Sequence, residues 1–295
     1  MKRIVLGDCL DVLRDLEDGR ARLVYLDPPF NTGRVQERTR LRTVRDADGD
    51  RTGFKGARYR TEVLGSSAWL DAYDDYLGFL APRLAEARRV LTADGSLFFH
   101  IDPRESHYCK VLLDELFGRR SFINEIVWAY DYGARPRTRW PAKHDVIFWY
   151  ARDPARYVFR YDDIDRVPYL APGLVGPEKA ARGKTPTDVW WQTIVSPTGK
   201  EKTGYPTQKP VRILERIVRV HSDPGDLVVD PFAGSGTTGE AAARLGRAYL
   251  LVDENPEAVR VMGQRLAWDG PVVVEAAGPP AGSAGQPGPP AEPTP

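Results

Sequence analysis

The 295-residue sequence predicts an α/β fold built on a doubly wound, mostly parallel sheet of seven strands. Three observations carry this reading. Runs of consecutive apolar residues, the mark of strands buried on both faces, recur along the chain. Between them lie segments with apolar residues at three and four spacing, the mark of amphipathic helices. The chemistry-bearing residues follow directly on the apolar runs, where the carboxyl ends of parallel strands place ligands.

The strand candidates are IVLG (4–7), RLVYLD (22–27), GSLFFHID (95–102), EIVW (125–128), DVIFWYA (145–151), DLVVD (226–230) and AYLLVD (248–253). Helical periodicity covers Asp71 to Leu91, Val211 to Val220, Thr238 to Leu245 and Pro256 to Leu266, with Gly246 placed to cap the third. Two segments interrupt the rhythm. From Arg34 to Arg60 the chain carries nine Arg or Lys against four acids with little apolar periodicity, so 34–67 is expected to be a mobile basic loop. Asp153 to Tyr205, rich in Pro, Gly and aromatic residues, reads as an inserted subdomain. The expected core is therefore 1–152 with 205–268, interrupted by an insertion at 153–204. A Gly- and Pro-rich tail at 269–295 is too poor in apolar side chains to order.

Composition bounds the function classes. With 42 Lys and Arg against 41 Asp and Glu, overall charge does not announce a nucleic-acid binder, so local clusters must carry that argument. Cys9 and Cys109 offer neither a disulfide framework nor metal-ligand spacing, and His100, His107 and His221 read as structural residues rather than ligands, so no metal is expected. The absence of a signal core or spanning run leads to the expectation of a cytoplasmic protein without a membrane partner.

Two constellations carry chemistry. In LVVDPFAGSGTTGEAAARLG a strand, a glycine turn at Gly234 and Gly236, and a helix let a cofactor approach backbone, and nineteen residues beyond Gly234 the next strand ends at Asp253, which can accept from ribose hydroxyls. The turn is FAGSG rather than G-x-G-x-x-G, which disfavours a nicotinamide dehydrogenase. In LVYLDPPFNTG a strand delivers Asp27 and two prolines of fixed φ. An exocyclic amino nitrogen is a poor nucleophile because its lone pair is conjugated with the ring. Asp27 and the Pro28 carbonyl, each accepting one amino hydrogen, would draw it toward tetrahedral geometry, while Phe30 stacks on a base turned out of the duplex.

Together these segments resemble the amino-group DNA methyltransferases of the circularly permuted β group, in which the catalytic box (here Asp27, Pro28, Pro29 and Phe30) precedes the cofactor motif (here Asp230-Pro231-Phe232-Ala233-Gly234-Ser235-Gly236). The resemblance runs over about residues 2 to 268 and takes in GDCLDVL (7–13), YPTQKP (205–210, where Tyr205 departs from the family's His) and NEIVW with HDVIFWYAR (124–152). It implies the methyltransferase type of sheet, S-adenosylmethionine as cofactor and S-adenosylhomocysteine as product. The implied cofactor set is Asp8, Cys9, Asp27, Thr207, Gln208, Lys209, Asp230, Pro231, Phe232, Ala233, Gly234, Ser235, Gly236, Thr237, Thr238, Asp253, Glu254 and Asn255. The 153–204 insertion becomes the target-recognition region.

Double-stranded DNA is the implied substrate, met by Arg34 and Arg38 and by Arg135, Arg137, Arg139, Lys143 and His144 in the hairpin turn. Trp190 and Trp191 are expected to anchor the insertion's own core rather than line the base pocket. Asp in the tetrapeptide favours adenine N6, with cytosine N4 open as the alternative. A homodimer and a cognate restriction endonuclease are further partners the family suggests. The rivals are an RNA or protein methyltransferase, whose motif order is usually the reverse, and a catalytically silent DNA-binding subunit, which would carry a broken motif.

Overall fold

A computed structural model of the chain describes residues 1–31, 34–45, 51–52, 58–71, 73–133, 135–196 and 199–276. In chain order the elements are β1 (Lys2–Leu6), α1 (Cys9–Asp15), β2 (Ala21–Leu26), β3 (Arg34–Arg45), β4 (Arg51–Thr52), β5 (Arg58–Asp71), α2 (Tyr76–Val90), β6 (Leu91–Ile101), α3 (Pro103–Phe117), β7 (Phe122–Ala129), β8 (His144–Ala151), α4 (Pro177–Arg182), β9 (Val189–Trp191), α5 (Val211–His221), β10 (Leu227–Asp230), α6 (Thr237–Arg244), β11 (Ala248–Asp253), α7 (Pro256–Leu266) and β12 (Val272–Glu275).

The main sheet has the order β12-β1-β11-β10-β2-β6-β8-β7-β9, and β1, β11, β10, β2 and β6 run parallel. Its central strands lack alternation because both faces are covered: Leu23, Val24 and Leu26 of β2 are all fully buried. Ile4, Leu23 and Tyr25 pack toward α5, α6 and α7, while Val5, Val24 and Leu26 pack toward α1, α2 and α3. Each Leu so buried contributes about 1.5–3 kcal/mol of transfer free energy. β8 pairs antiparallel with β6 and β7, which brings the N-terminal end of β8, the β7–β8 turn and the carboxyl ends of the parallel strands to the same edge of the sheet.

Several expectations need correcting. The sheet has nine strands, because β9 and β12 add at its two edges through backbone pairing with β7 and β1 that their own short sequences do not announce. Ordered structure consequently extends past 268, and β9 ties the insertion to the main sheet. The segment expected to be a loop at 34–67 contains β3 and β5, paired antiparallel from Arg34↔Asp71 to Arg45↔Tyr59, with β4 alongside β5. A ribbon needs only a partner strand, not an apolar face, and so escapes a search for hydrophobic periodicity. The Asp71–Leu91 helix is shorter, starting at Tyr76 after Asp75 caps Gly78 N–H (2.8 Å). The tail from 277 lies outside the described residues.

Candidate active site

The carboxyl ends of β1, β11, β10 and β2 converge on a cavity of about 500 Å³. Its lining includes Gly7 and Cys9 beyond β1, Asp27 to Phe30 beyond β2, Asp230 to Ser235 beyond β10 and Asp253 to Pro256 beyond β11. Tyr205, Thr207 and Lys209 close it from the segment that leads into α5.

On one side the backbone is fastened around acids. Asp230 is buried, its Oδ1 accepting from Phe232 N–H (3.0 Å) and its Oδ2 from the Thr238 hydroxyl (2.5 Å). Burial pushes its carboxyl up to about 7, against the pull of those two hydrogen bonds and with help from the charges of Asp27 and Asp253. Asp253 accepts from Gly234 N–H (2.8 Å) on one oxygen and Asn255 N–H (2.9 Å) on the other, and burial raises it as well. Gly234 sits at φ +50° and a Cβ there would come within 3.3 Å of Tyr205 Cε1; Gly236 sits at φ +74° with Met262 Cγ 2.8 Å from where its Cβ would be. A turn whose two glycines leave its backbone approachable, at the N-terminus of α6 and beside a strand-end carboxylate whose oxygens keep further lone pairs, fits an adenosine-type cofactor. The Cys9 thiol, pushed up to about 12 by burial, stands in the cavity wall.

On the other side lies the tetrapeptide. Lys209 Nζ holds Asp27 Oδ2 at 2.8 Å and lies 4.7 Å from the centre of the Phe30 ring, so one cation engages both side chains. Asp27 Oδ1 is buried and accepts no hydrogen bond from any described residue; His100 Nδ1 stands 3.8 Å away. The Tyr76 hydroxyl donates to the Pro29 carbonyl (2.5 Å). Asn31, at φ +51°, follows the tetrapeptide in a left-handed conformation, held by Tyr73 N–H on its Oδ1 (3.0 Å) and by its own donation to Glu105 (3.2 Å).

Not every expected residue reaches the cavity. Asp8 caps α1 through Leu10 N–H (2.6 Å) and pairs with Arg83 (2.9 Å), while its neighbours Gly7 and Cys9 do the lining. The Gln208 amide is spent on its own loop, accepting from Thr203 N–H (2.8 Å) and donating to the Glu201 carbonyl (2.7 Å). Arg135, Arg137 and Arg139 lie exposed in the β7–β8 turn, Lys143 and His144 are half-buried there, and Trp140 between them is 94% exposed. The side chains of Arg34 and Arg38 lie outside the described residues. Trp190 packs into the main core beneath Arg216 (4.7 Å) rather than into a core of the insertion, and Trp191 is 73% exposed. Sequence reasoning missed Tyr25, Tyr73, Phe79 and Tyr205 as cavity residues and missed the position of His100. Tyr205 was signalled by its departure from the family's His.

Comparison with known proteins agrees with this architecture. A type II methyltransferase of Haemophilus parainfluenzae, M.HpaI, is 28% identical over 265 residues, 90% of this chain and 74% of that protein. A DNA adenine methyltransferase of Escherichia coli is 28% identical over 278 residues, 90% of this chain and 82% of that protein. Among solved structures, the cytosine-N4-specific PvuII DNA methyltransferase superposes with a TM-score of 0.62 at 17% identity, covering 90% of this chain and 86% of that one. The complex of M1.HpyAVI with S-adenosylmethionine superposes at 0.57 and 21% identity, covering 90% and 99%. Both structures share the fold. The family model described as DNA methylase matches residues 21–264, from the start of β2 into α7, and the chain belongs to that N6/N4 DNA methylase family, which transfers methyl groups from S-adenosylmethionine to exocyclic amino groups of DNA.

Proposed function

We propose that the enzyme methylates adenine N6 in double-stranded DNA and that Asp27 is the acceptor which activates the amino group. The observation that carries the reading is the buried Asp27 Oδ1, an acceptor without a donor among the described residues, in the same cavity as the glycine turn. A buried acceptor left unmatched costs about 1–3 kcal/mol, and a substrate N–H removes that cost. Lys209 holds the other oxygen and so fixes the direction in which Oδ1 points. Oδ1 takes one amino hydrogen and the Pro28 carbonyl the other, which loosens the nitrogen lone pair from the ring. The 230–238 turn, Asp253 to Asn255, Thr207 and Lys209 would hold the cofactor, which would supply the methyl group on its sulfonium. Phe30 stacks on the extruded base.

Adenine is preferred because the tetrapeptide carries Asp, the residue commoner in the adenine branch of the family, and because the Escherichia coli relative is an adenine enzyme. Arg135, Arg137, Arg139, Lys143 and His144, with Arg34 and Arg38, meet the phosphates, and 153–204 reads the target sequence. The protein works in the cytoplasm, where a second copy and a cognate endonuclease are its further partners; among the described residues no helix is long and apolar enough to cross a membrane. Digestion of a methylated duplex to nucleosides decides the base: N6-methyldeoxyadenosine is the expected product, and N4-methyldeoxycytidine overturns the adenine assignment.

A further inference from the structure

A methylated amino nitrogen must shed a proton, and the group that accepts it must hand that proton on before the next cycle. Behind Asp27 lies a buried polar chain of which only Tyr25 reaches the cavity wall. His100, at the end of β6, has no solvent exposure. Its Nε2 lies 3.1 Å from Asp145 Oδ2, its Nδ1 2.6 Å from the Tyr25 hydroxyl and 3.8 Å from Asp27 Oδ1. Asp145, at the N-terminal end of β8, also accepts from the Tyr130 hydroxyl (3.0 Å). A carboxylate only accepts, so Nε2 carries a hydrogen, and in the singly protonated ring Nδ1 accepts from Tyr25. Burial raises the Asp145 carboxyl, but the hydrogen bond from His100 and its charge when protonated, then the charge of Lys209 and the Tyr130 hydrogen bond, outweigh it and hold it below the usual carboxylate range.

We propose that His100, backed by Asp145, takes up the reaction's proton from Asp27. The proposal rests on the reading of Asp27 as amino acceptor. The nitrogen lone pair forms the N–CH3 bond as the S–CH3 bond breaks with its electrons left on sulfur, so the nitrogen holds two hydrogens and a positive charge. Asp27 Oδ1 takes one as a proton and the N–H pair stays on nitrogen. Neutral Asp27 now has a donor on Oδ1, and the acceptor facing it is Nδ1. Closing the gap by about 1 Å makes a hydrogen bond. The proton passes to Nδ1, the Tyr25 hydroxyl turns from donor to acceptor, Asp27 returns to its pair with Lys209, and the imidazolium stands against ionised Asp145, as in a hydrolase triad. It is released to water when product leaves. The groups facing His100 are Tyr25 and Asp27 from β2 and its end, and Asp145 from β8; Tyr130 and Lys209 act at one remove.

His100→Gln tests this, since Gln can accept from Tyr25 and donate to Asp145 but takes up no proton. Steady-state kcat should fall about 100-fold while KM for cofactor and for DNA holds. His100→Gly should regain turnover on addition of imidazole. A His100→Gln enzyme with wild-type kcat, or one in which kcat, both KM values and thermal stability fail together without imidazole rescue of His100→Gly, overturns the relay. If Asp27→Ala is inactive in the same assay while His100→Gln is fast, only the relay fails; if Asp27→Ala is active, the acceptor reading beneath it fails too.

Discussion

β2 and β10 are neighbours in the sheet, and each ends in Asp-Pro with a Phe close behind, yet the two acids do opposite work. Asp230 is satisfied by its own turn: Phe232, two residues on, supplies an N–H, and Thr238 on α6 supplies a hydroxyl. Asp27 cannot be satisfied this way, because the residue two positions on is Pro29, which has no N–H. Lys209, far along the chain, takes one oxygen, and the other accepts no hydrogen bond among the described residues. On the proposed reading, the second proline separates an acid that builds the cofactor turn from one held ready for an amino group.

Asp27→Ala should do the most damage, lowering methyl transfer about 1000-fold or more while leaving cofactor affinity, measured by calorimetry, near that of wild type. Joint loss of both would erase the distinction between the two acids. Asp230→Ala should give the opposite split, weakening cofactor binding and lowering Tm through the stranded Thr238 hydroxyl and Phe232 N–H, each costing about 1–3 kcal/mol. A smaller and more pointed effect is expected of Pro29→Ala. The new N–H can bond Asp27 Oδ1 as Phe232 N–H bonds Asp230, and a competing hydrogen bond of about 1 kcal/mol should slow transfer roughly 5- to 10-fold. An unchanged rate, with unchanged stability, would show that the second proline is not what keeps Oδ1 bare.

Asp230 should also make stability depend on pH. Folding raises Asp230 from 3.8 to about 7, so across that window the folded chain keeps a proton that the unfolded chain has lost. Its contribution to stability is full below about pH 4 and is lost as pH rises toward 7. The stability difference between wild type and Asp230→Asn, read from urea unfolding, should therefore decline with rising pH; a flat difference would mean the raised carboxyl is absent. Least in magnitude, Arg137→Ala with Arg139→Ala should flatten the salt dependence of DNA binding by about 0.9 in log-log slope for each phosphate no longer neutralised, with cofactor affinity untouched.

Much of this was legible in the sequence because it depends on nearest neighbours. Unalternating runs such as LVVD and AYLLVD mark strands buried on both faces, and the turn at Gly234 is encoded by the residues that form it. What was not legible depends on partners distant in the chain. β9 and β12 are strands only because β7 and β1 offer edges, and α3 went unread although Asp102 and Pro103 stand at its start as cap and first residue. His100 reads as a plain core residue until Asp145, forty-five positions on, is placed against it. That Lys209 would reach Asp27, rather than serve the cofactor alone, is likewise a property of the assembled sheet.

Whether Asp27 accepts a hydrogen from a DNA base amino group is decided by incubating wild type and Asp27→Ala with methyl-tritiated S-adenosylmethionine and a mixture of duplex DNA, RNA and protein, then locating the label. With wild type the label should sit in DNA on an exocyclic amino nitrogen, and with Asp27→Ala it should stay at background. Label in RNA or protein, or wild-type labelling of DNA by the variant, would rule that role out.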